Sequence, residues 1–237
     1  MPFDEHYFST HTYADVSFAK YSQYWWSNRF YAILARRFAE KGTPLLEIGC
    51  GLGHLVGQLD GEFVTIGMDL NQWALAKSKT VAGSTQLHVG SAEKLPYKDN
   101  CYRVVIIKHV VEHLSNPENC ILELARVLSK GGLLILATPN LDSLLKPLKG
   151  DQWIGYQDPT HISLKPPGEW LSLLRNAGFT IDRVFADGFW DVPYIRWIPK
   201  FLQKLFFGSL GGFQAITGLI CLPFRWGESI IVIARKG

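Results

Sequence analysis

Residues 45 to 53 read Leu45-Leu46-Glu47-Ile48-Gly49-Cys50-Gly51-Leu52-Gly53, a short apolar run that enters three glycines at alternate positions. Leu45 to Ile48 have the composition of a buried strand. His54, Leu55, Val56 and Leu59 follow at helical spacing. Glycine tolerates positive φ and puts no side chain between the backbone and a ligand, so a small molecule can lie against such a turn. N–H groups exposed at a helix start add partial positive charge there. The stretch predicts a strand–turn–helix cradle for a cofactor.

The spacing bears on which cofactor. A dinucleotide turn requires Gly-x-Gly-x-x-Gly, whereas here position 54 is His and the third glycine comes one residue early, at Gly53. Glu47 at the strand end would repel a pyrophosphate and attract an ammonium group. Twenty residues past Gly49, a second apolar strand through Phe63, Val64 and Ile66 ends at Asp69, placed to accept hydrogen bonds from ribose hydroxyls. One acid for an ammonium and another for a ribose describe S-adenosylmethionine better than NAD.

With these residues the chain resembles the class I S-adenosylmethionine-dependent methyltransferases, in particular the small-molecule subset that includes ubiquinone and menaquinone biosynthesis enzymes. Glu47-x-Gly49-x-Gly51-x-Gly53 is similar to the family's first motif, and Asp69 to its acidic second one. The resemblance implies cofactor contacts at Glu47, Gly49, Cys50, Gly51, Gly53, Asp69 and Leu70. It implies adenine contacts at Ser91, Ala92 and Glu93, and a further contact at Lys108 beside His109. Two positions depart from the family pattern. Ser91 stands where Asp is common, and Arg103 stands where an Asp usually enters the fourth strand.

Strands and helices alternate along the rest of the chain. Helices are predicted over 28–41, with Ser27 as cap and Gly42 as stop, and over 71–82, capped by Asn71. A strand at 86–89 precedes the continuous apolar run Val104 to Ile107, suited to a central parallel strand. Ser115-Asn116-Pro117-Glu118 opens a helix to Leu128, stopped by Gly131-Gly132. A strand at 133–137, a helix at 169–177 and strands at 179–185 and 229–234 complete the pattern. This order argues an α/β, doubly wound sheet. The family resemblance implies seven strands, mostly parallel, with the last one antiparallel beside the sixth. Residues 1–43 would then form an aromatic, helical N-terminal cap, and 44–237 the methyltransferase domain with a lid-like insertion at 187–227.

The composition excludes several classes. With 237 residues, 47% of them hydrophobic, the chain suits one large α/β domain. A formal charge of +3, with no Lys or Arg block longer than a pair, does not support nucleic-acid binding. The opening Met-Pro-Phe-Asp-Glu-His lacks the cations and apolar core of a signal peptide, so a cytoplasmic location is expected. Cys50, Cys101, Cys120 and Cys221 show no Cys-x-x-Cys spacing and read as reduced, interior thiols with no zinc site.

Two later segments concern the acceptor. His109-x-x-Glu112-His113 follows a strand end rather than occupying one helical face, so no metal is expected there. Asp158-Pro159-Thr160-His161 lies beyond the fifth strand, on the carboxyl-end side of the sheet where ligands bind. His161, ordered by Asp158, is the candidate general base for a hydroxyl acceptor. An in-line transfer could also proceed by alignment alone. Between 192 and 226, aromatic and aliphatic residues recur at helical spacing beside Arg196, Lys200 and Lys204, and Pro199 predicts a kinked or two-part element. Leu205 to Phe224 carry no charge, yet glycines dilute the run. A lid with an apolar inner face and a surface lying on a membrane both satisfy this pattern.

The reading is therefore an S-adenosylmethionine-dependent methyltransferase acting on oxygen or carbon of a small-molecule or lipid-linked acceptor. A module that binds the cofactor or its product without turnover is the alternative. A nicotinamide oxidoreductase is a third reading, against which His54 argues.

Overall fold

The computed structural model describes residues 16–237. The first part of the aromatic N-terminal stretch, with His6 and His11, lies outside the described residues. The chain forms α1 (Gln23–Phe38), β1 (Pro44–Ile48), α2 (His54–Leu59), β2 (Val64–Asp69), α3 (Gln72–Ser78), β3 (Gln86–Val89), β4 (Tyr102–Lys108), α4 (Pro117–Val127) and β5 (Leu128–Pro139). Two single turns, α5 (Lys146–Lys149) and α6 (Ile154–Gln157), lead to α7 (Pro167–Asn176), β6 (Phe179–Ala186), α8 (Lys200–Thr217) and β7 (Ser229–Lys236).

The seven strands form one sheet in the order β3-β2-β1-β4-β5-β7-β6. β1 through β5 pair in parallel, and β7 runs antiparallel between β5 and β6. Successive side chains of the central strands go to opposite faces. Leu45, Val104, Ile106, Ile135 and Ile233 pack on one face under α1, α2 and the end of α8. Leu46, Val105, Ile107, Leu134 and Val232 pack on the other, under α4 and α7. Both faces are thus covered, which is why the central strands read as unbroken apolar runs rather than alternating ones.

Several boundaries differ from the sequence expectation. α1 begins at Gln23, because Ser22 rather than Ser27 accepts the capping bond from the Trp25 amide. α3 ends at Ser78, and the chain closes through turns to Ala82. α4 ends at Val127, before the glycine pair, because fully buried Leu128 already pairs with Tyr102 across β4 and β5. Pro199 kinks nothing: it precedes α8, which starts at Lys200 and runs unbroken to Thr217. Cys50 and Cys120 are buried, but Cys101 and Cys221 are exposed, since both lie in loops outside the layered core.

The insertion before β7 is tied down by polar groups. Buried Glu228 accepts hydrogen bonds from the Trp153 indole and the Tyr194 hydroxyl. Asp191 joins Lys149 at 3.0 Å and the Ile154 amide at 2.9 Å. α8 adds buried polar groups to the expected apolar inner face, where Ala215, Phe207 and Leu210 do pack. Its inner face carries Gln203 and Gln214, both fully buried, whereas Phe201, Leu205, Phe206 and Phe213 point outward. The Gln214 side chain donates to Ala186 O and accepts the amides of Cys221 and Leu222. Replacing it with leucine leaves two buried backbone groups and one part-buried amide unpaired, at about 1–3 kcal/mol for each buried group. Urea unfolding of Gln214→Leu is therefore expected to show a loss of several kcal/mol, with the midpoint lowered and the slope unchanged.

Candidate functional site

The loops after β1, β2, β3 and β4, together with the first turns of α1, enclose a cavity of about 280 Å³. Glu47, Gly49, Cys50, Gly51, Asp69, Leu70, Ser91, Ala92, Glu93 and Lys108 all line it. Tyr24, Asn28, His109 and His113 complete much of the remaining wall. Gly53, expected among the contacts, is not in the lining. It caps α2 at φ +77°, and a Cβ there would stand 2.8 Å from Ser78 Cβ, so its role is close packing of α2 against the end of α3. Gly49 does face the cavity, at φ +74°, and a Cβ there would meet Val110 Cγ2 at 2.2 Å. Side chains are excluded at both positions by neighbouring protein.

The glycine turn spends its donors internally, contrary to the expectation of exposed N–H groups. Gly49 and Cys50 donate to Met68 O at 2.7 and 3.1 Å, and Gly53 donates to Cys50 O at 2.8 Å. Gly51 donates to Asp69 Oδ2 at 2.7 Å, and Val56, in the first turn of α2, donates to Glu47 Oε2 at 3.0 Å. A carboxylate already occupies the place where a pyrophosphate would meet the helix start. Asp69 Oδ1 also accepts the Asn71 amide at 2.8 Å. Ser91 Oγ accepts the Glu93 amide, and the Glu93 carboxylate turns to the Asn116 amide and Ser115 hydroxyl at the start of α4.

Charged side chains supply what the turn withholds. Burial pushes Glu47 up to about 8, against the pull of Lys108 and the Val56 hydrogen bond. Burial also brings Lys108 down to about 8, opposed by the charges of Glu47 and Asp187. Its ammonium donates to Ser27 Oγ and Asn28 Oδ1, both at 3.2 Å, and lies 4.9 Å from the ring centroid of Tyr31. Asp69 is raised by burial despite the hydrogen bonds it accepts. Two carboxyls and one ammonium on a single wall suit a ligand that carries cationic and anionic groups with a ribose. The donor set therefore fits S-adenosylmethionine and not a dinucleotide.

Beyond Lys108 lies a histidine cluster. His109 adopts φ +53°, a conformation rare for a side chain with a Cβ and a frequent mark of functional strain. Its Nδ1 stands 3.1 Å from Glu112 Oε1, and its Nε2 stands 3.3 Å from Ser229 Oγ. Glu112 is fully buried, and Thr138 Oγ1 donates to its other oxygen. Burial alone would raise Glu112, but the His109 hydrogen bond and the charges of the three histidines outweigh it and hold the carboxyl below its ordinary value. Asp187 is raised by burial to about 6, opposed by the charge of His109 and the hydrogen bonds from Ser229.

His161 is not among the cavity-lining residues. It sits against His113, with ring centroids 4.6 Å apart, and its Nδ1 donates to Gly155 O at 2.7 Å. Asp158 is 3.9 Å from His161 and instead accepts the amide and hydroxyl of Thr160. Thr160 Oγ1 in turn meets His113 Nδ1 at 2.8 Å. Glu112, His113 and His161 place one ligating atom each within 4.8 Å of one another, with Glu112 and His113 already committed to the hydrogen bonds above. Sequence reasoning missed the His109–Glu112 pair as a unit, although its i, i+3 spacing was visible. Arg103 lies at the far end of β4, bonded to Ser129 and Lys130 O.

The comparisons agree with this geometry. A methyltransferase-domain family model matches residues 46–136. An uncharacterised protein of Methanocaldococcus jannaschii is 31% identical over 77% of this chain and 84% of its own length. A probable S-adenosylmethionine-dependent methyltransferase of Mycolicibacterium smegmatis is 28% identical over 67% of this chain and 60% of its own. The chain belongs to the class I S-adenosylmethionine-dependent methyltransferases. S-adenosylmethionine is accordingly its cofactor. The PH0226 protein of Pyrococcus horikoshii shares the fold, with a TM-score of 0.66 at 16% identity, covering 98% of this chain and 99% of that one.

The hydrogen-bond partners fix one proton on each histidine of the cluster. Carboxylate, hydroxyl and carbonyl acceptors face Nδ1 of His109, His113 and His161 respectively. Long-range ¹H–¹⁵N correlation spectra of the protein are expected to show all three protonated at Nδ1. Glu112→Gln should move the His109 pair of shifts and leave those of His161 in place.

Proposed function

We propose that this protein transfers the methyl group of S-adenosylmethionine to an oxygen of a small-molecule acceptor, with His109 taking the acceptor's proton. The observation that carries this reading is His109 on the cavity wall after β4, hydrogen-bonded to fully buried Glu112 behind it. When bound, S-adenosylmethionine would supply an electrophilic methyl group on a sulfonium and would leave as a neutral thioether. Asp69 would receive the ribose hydroxyls, Glu47 the ammonium and Lys108 the carboxylate, with Ser91, Ala92 and Glu93 beside the adenine. Glu112 keeps the Nδ1 proton of His109 in place, so the ring's lone pair is on Nε2. Ser229 Oγ stands 3.3 Å from that nitrogen, a contact that the acceptor's hydroxyl would replace. Once His109 is protonated, Glu112 stabilises it directly and Asp187 does so from behind Ser229, whose amide Asp187 accepts at 3.0 Å.

Asp158 acts in this reading as a positioning residue, through Thr160 and His113, and His161 supports His113 from behind. Of the expected cap at 1–43, the described residues 16–43 serve as cover for the cofactor cavity, and 187–227 as a cover beside it. Tyr24 and Asn28 in the cavity wall support the first assignment.

Two outcomes test the reading. In a homocysteine-release assay across hydroxylated acceptors, His109→Ala is expected to lower turnover by about 10²–10⁴ with cofactor affinity unchanged. His161→Ala should lower turnover by less than about tenfold, since its ring does not line the cavity. If the two variants behave alike, His109 is not the base.

The second outcome follows from Glu47. With burial raising it to about 8, the group holds a proton at pH 7, and a cationic ammonium beside it favours the ionised form. Cofactor binding at pH 7 is then expected to release protons, and affinity to rise with pH until Lys108, brought down to about 8, begins to lose its charge. Calorimetry in buffers of different ionisation enthalpy reads this directly. Glu47→Gln should abolish the proton release at pH 7.

A further inference from the structure

The face of α8 that turns away from the protein is apolar, while the face that packs inward sets two buried glutamines among Ala215, Phe207 and Leu210. Gln203 is 1% exposed, and its amide accepts the Tyr194 and Ile195 N–H groups and donates to Ile195 O and Ile198 O. Gln214, at 0%, makes three such bonds one element further on. Leu205 by contrast is 71% exposed and Trp197, just before the helix, 83%. Phe201, Phe206, Phe213 and Ile216 share this outer face. A helix placed against water normally shows the opposite arrangement. Contiguous exposed apolar surface of this size marks an interaction site.

The charges around the face say what it meets. Between residues 192 and 226 the charged side chains are Arg196, Lys200, Lys204 and Arg225, with no acid among them. All four are exposed. They flank the apolar face instead of interrupting it, the pattern of a helix that lies in a membrane interface with its cations at headgroup level. Trp197 and Trp226, both exposed near the ends of this segment, are residues that favour the same level. Among the described residues no helix is long and apolar enough to cross a membrane, so the helix would lie along the surface. A second copy of the chain seated on this face about a two-fold axis would bring four cations against four. An anionic surface would neutralise them.

We propose that α8 and the residues flanking it dock on the surface of an anionic phospholipid bilayer, with Phe201, Leu205, Phe206 and Phe213 entering the interface and Arg196, Lys200, Lys204 and Arg225 meeting the headgroups. The inference is independent of the acceptor's chemistry and of turnover. Docking would hold the enzyme at a surface without anchoring it there permanently, because four cations and one helix face give salt-sensitive, reversible binding.

Co-sedimentation with vesicles tests this, using phosphatidylcholine alone and phosphatidylcholine mixed with phosphatidylglycerol. The protein is expected to pellet with the mixed vesicles at low salt and to be released at high salt. Lys200→Glu/Lys204→Glu should weaken partitioning by about tenfold or more, and Leu205→Glu/Phe206→Glu should abolish it. All four side chains are exposed, and retained calorimetric binding of S-adenosylmethionine checks that each variant is folded. Trp197 emission should shift to the blue with mixed vesicles, a shift that Trp197→Phe diminishes. Failure of the unmodified protein to bind mixed vesicles at low salt overturns the proposal, as does binding that both double variants retain. A dimer in sedimentation velocity that Leu205→Glu/Phe206→Glu dissociates, without vesicle binding by the unmodified protein, assigns the face to a second copy and overturns it too.

Discussion

Asp69 accepts the Gly51 amide at 2.7 Å, and Met68 O, one residue earlier, accepts those of Gly49 and Cys50. These bonds extend the parallel pairing of β1 and β2, which ends at Ile48 and Met68, into the turn itself. The turn is thereby fixed to the second strand, and its amides face protein acceptors. A phosphate-binding loop keeps such amides for its ligand. Here the cavity presents side chains instead, and Asp69 both holds the turn and lines the cavity. The difference between a dinucleotide site and this one is therefore a difference in where the same backbone donors are spent.

Spending them inside leaves recognition to a costly arrangement, an acid and a lysine buried on one wall. Desolvation drives Glu47 and Lys108 toward neutrality from opposite directions, each to about 8. Their mutual attraction opposes both shifts without cancelling either. A zwitterionic ligand that brings an ammonium to the acid and a carboxylate to the lysine restores the charged forms of both. The same low-dielectric wall favours the chemistry. Methyl transfer from a sulfonium converts a cation into a neutral thioether, so the site need not stabilise new charge at sulfur. For an acceptor that must lose a proton, His109 is the cavity-lining histidine among the described residues that is bonded directly to a carboxylate, that of buried Glu112.

Much of the fold was legible because parallel strands covered on both faces write themselves as apolar runs. β1, β2 and β3 lie within a residue of the sequence reading, and β3 agrees at both ends. Helix ends were less legible, since they depend on which of several polar residues a distant group claims. Ser27 reads as a cap, but Lys108, eighty-one residues away, takes its hydroxyl, and Ser22 caps α1 instead. Side-chain partners on the acceptor side were hard to read for the same reason. Asp158 and His161 are neighbours in sequence, yet Thr160 donates to the acid and Gly155 O accepts the hydrogen bond of His161 Nδ1. The pair that does meet, His109 and Glu112, depends on an unusual φ at a strand end. Residue types alone do not announce that.

α8 shows a limit of a different kind. Hydrophobic periodicity locates an apolar stripe on a helix, but it carries no sign, because a stripe that faces the core and one that faces away have the same period. The usual assignment assumes water outside. Two glutamines reverse it here. Each offers an acceptor and two donors, and unregular chain at 194–198 and 221–222 has backbone groups that an apolar side chain would leave unpaired. An amide side chain facing inward completes those bonds, so two glutamines join Ala215, Phe207 and Leu210 on the inner side and the larger apolar stripe turns away. The cost of reversed orientation falls on the apolar face, which water solvates poorly. A surface that covers this face would recover that cost, and the cations beside it select a negatively charged one.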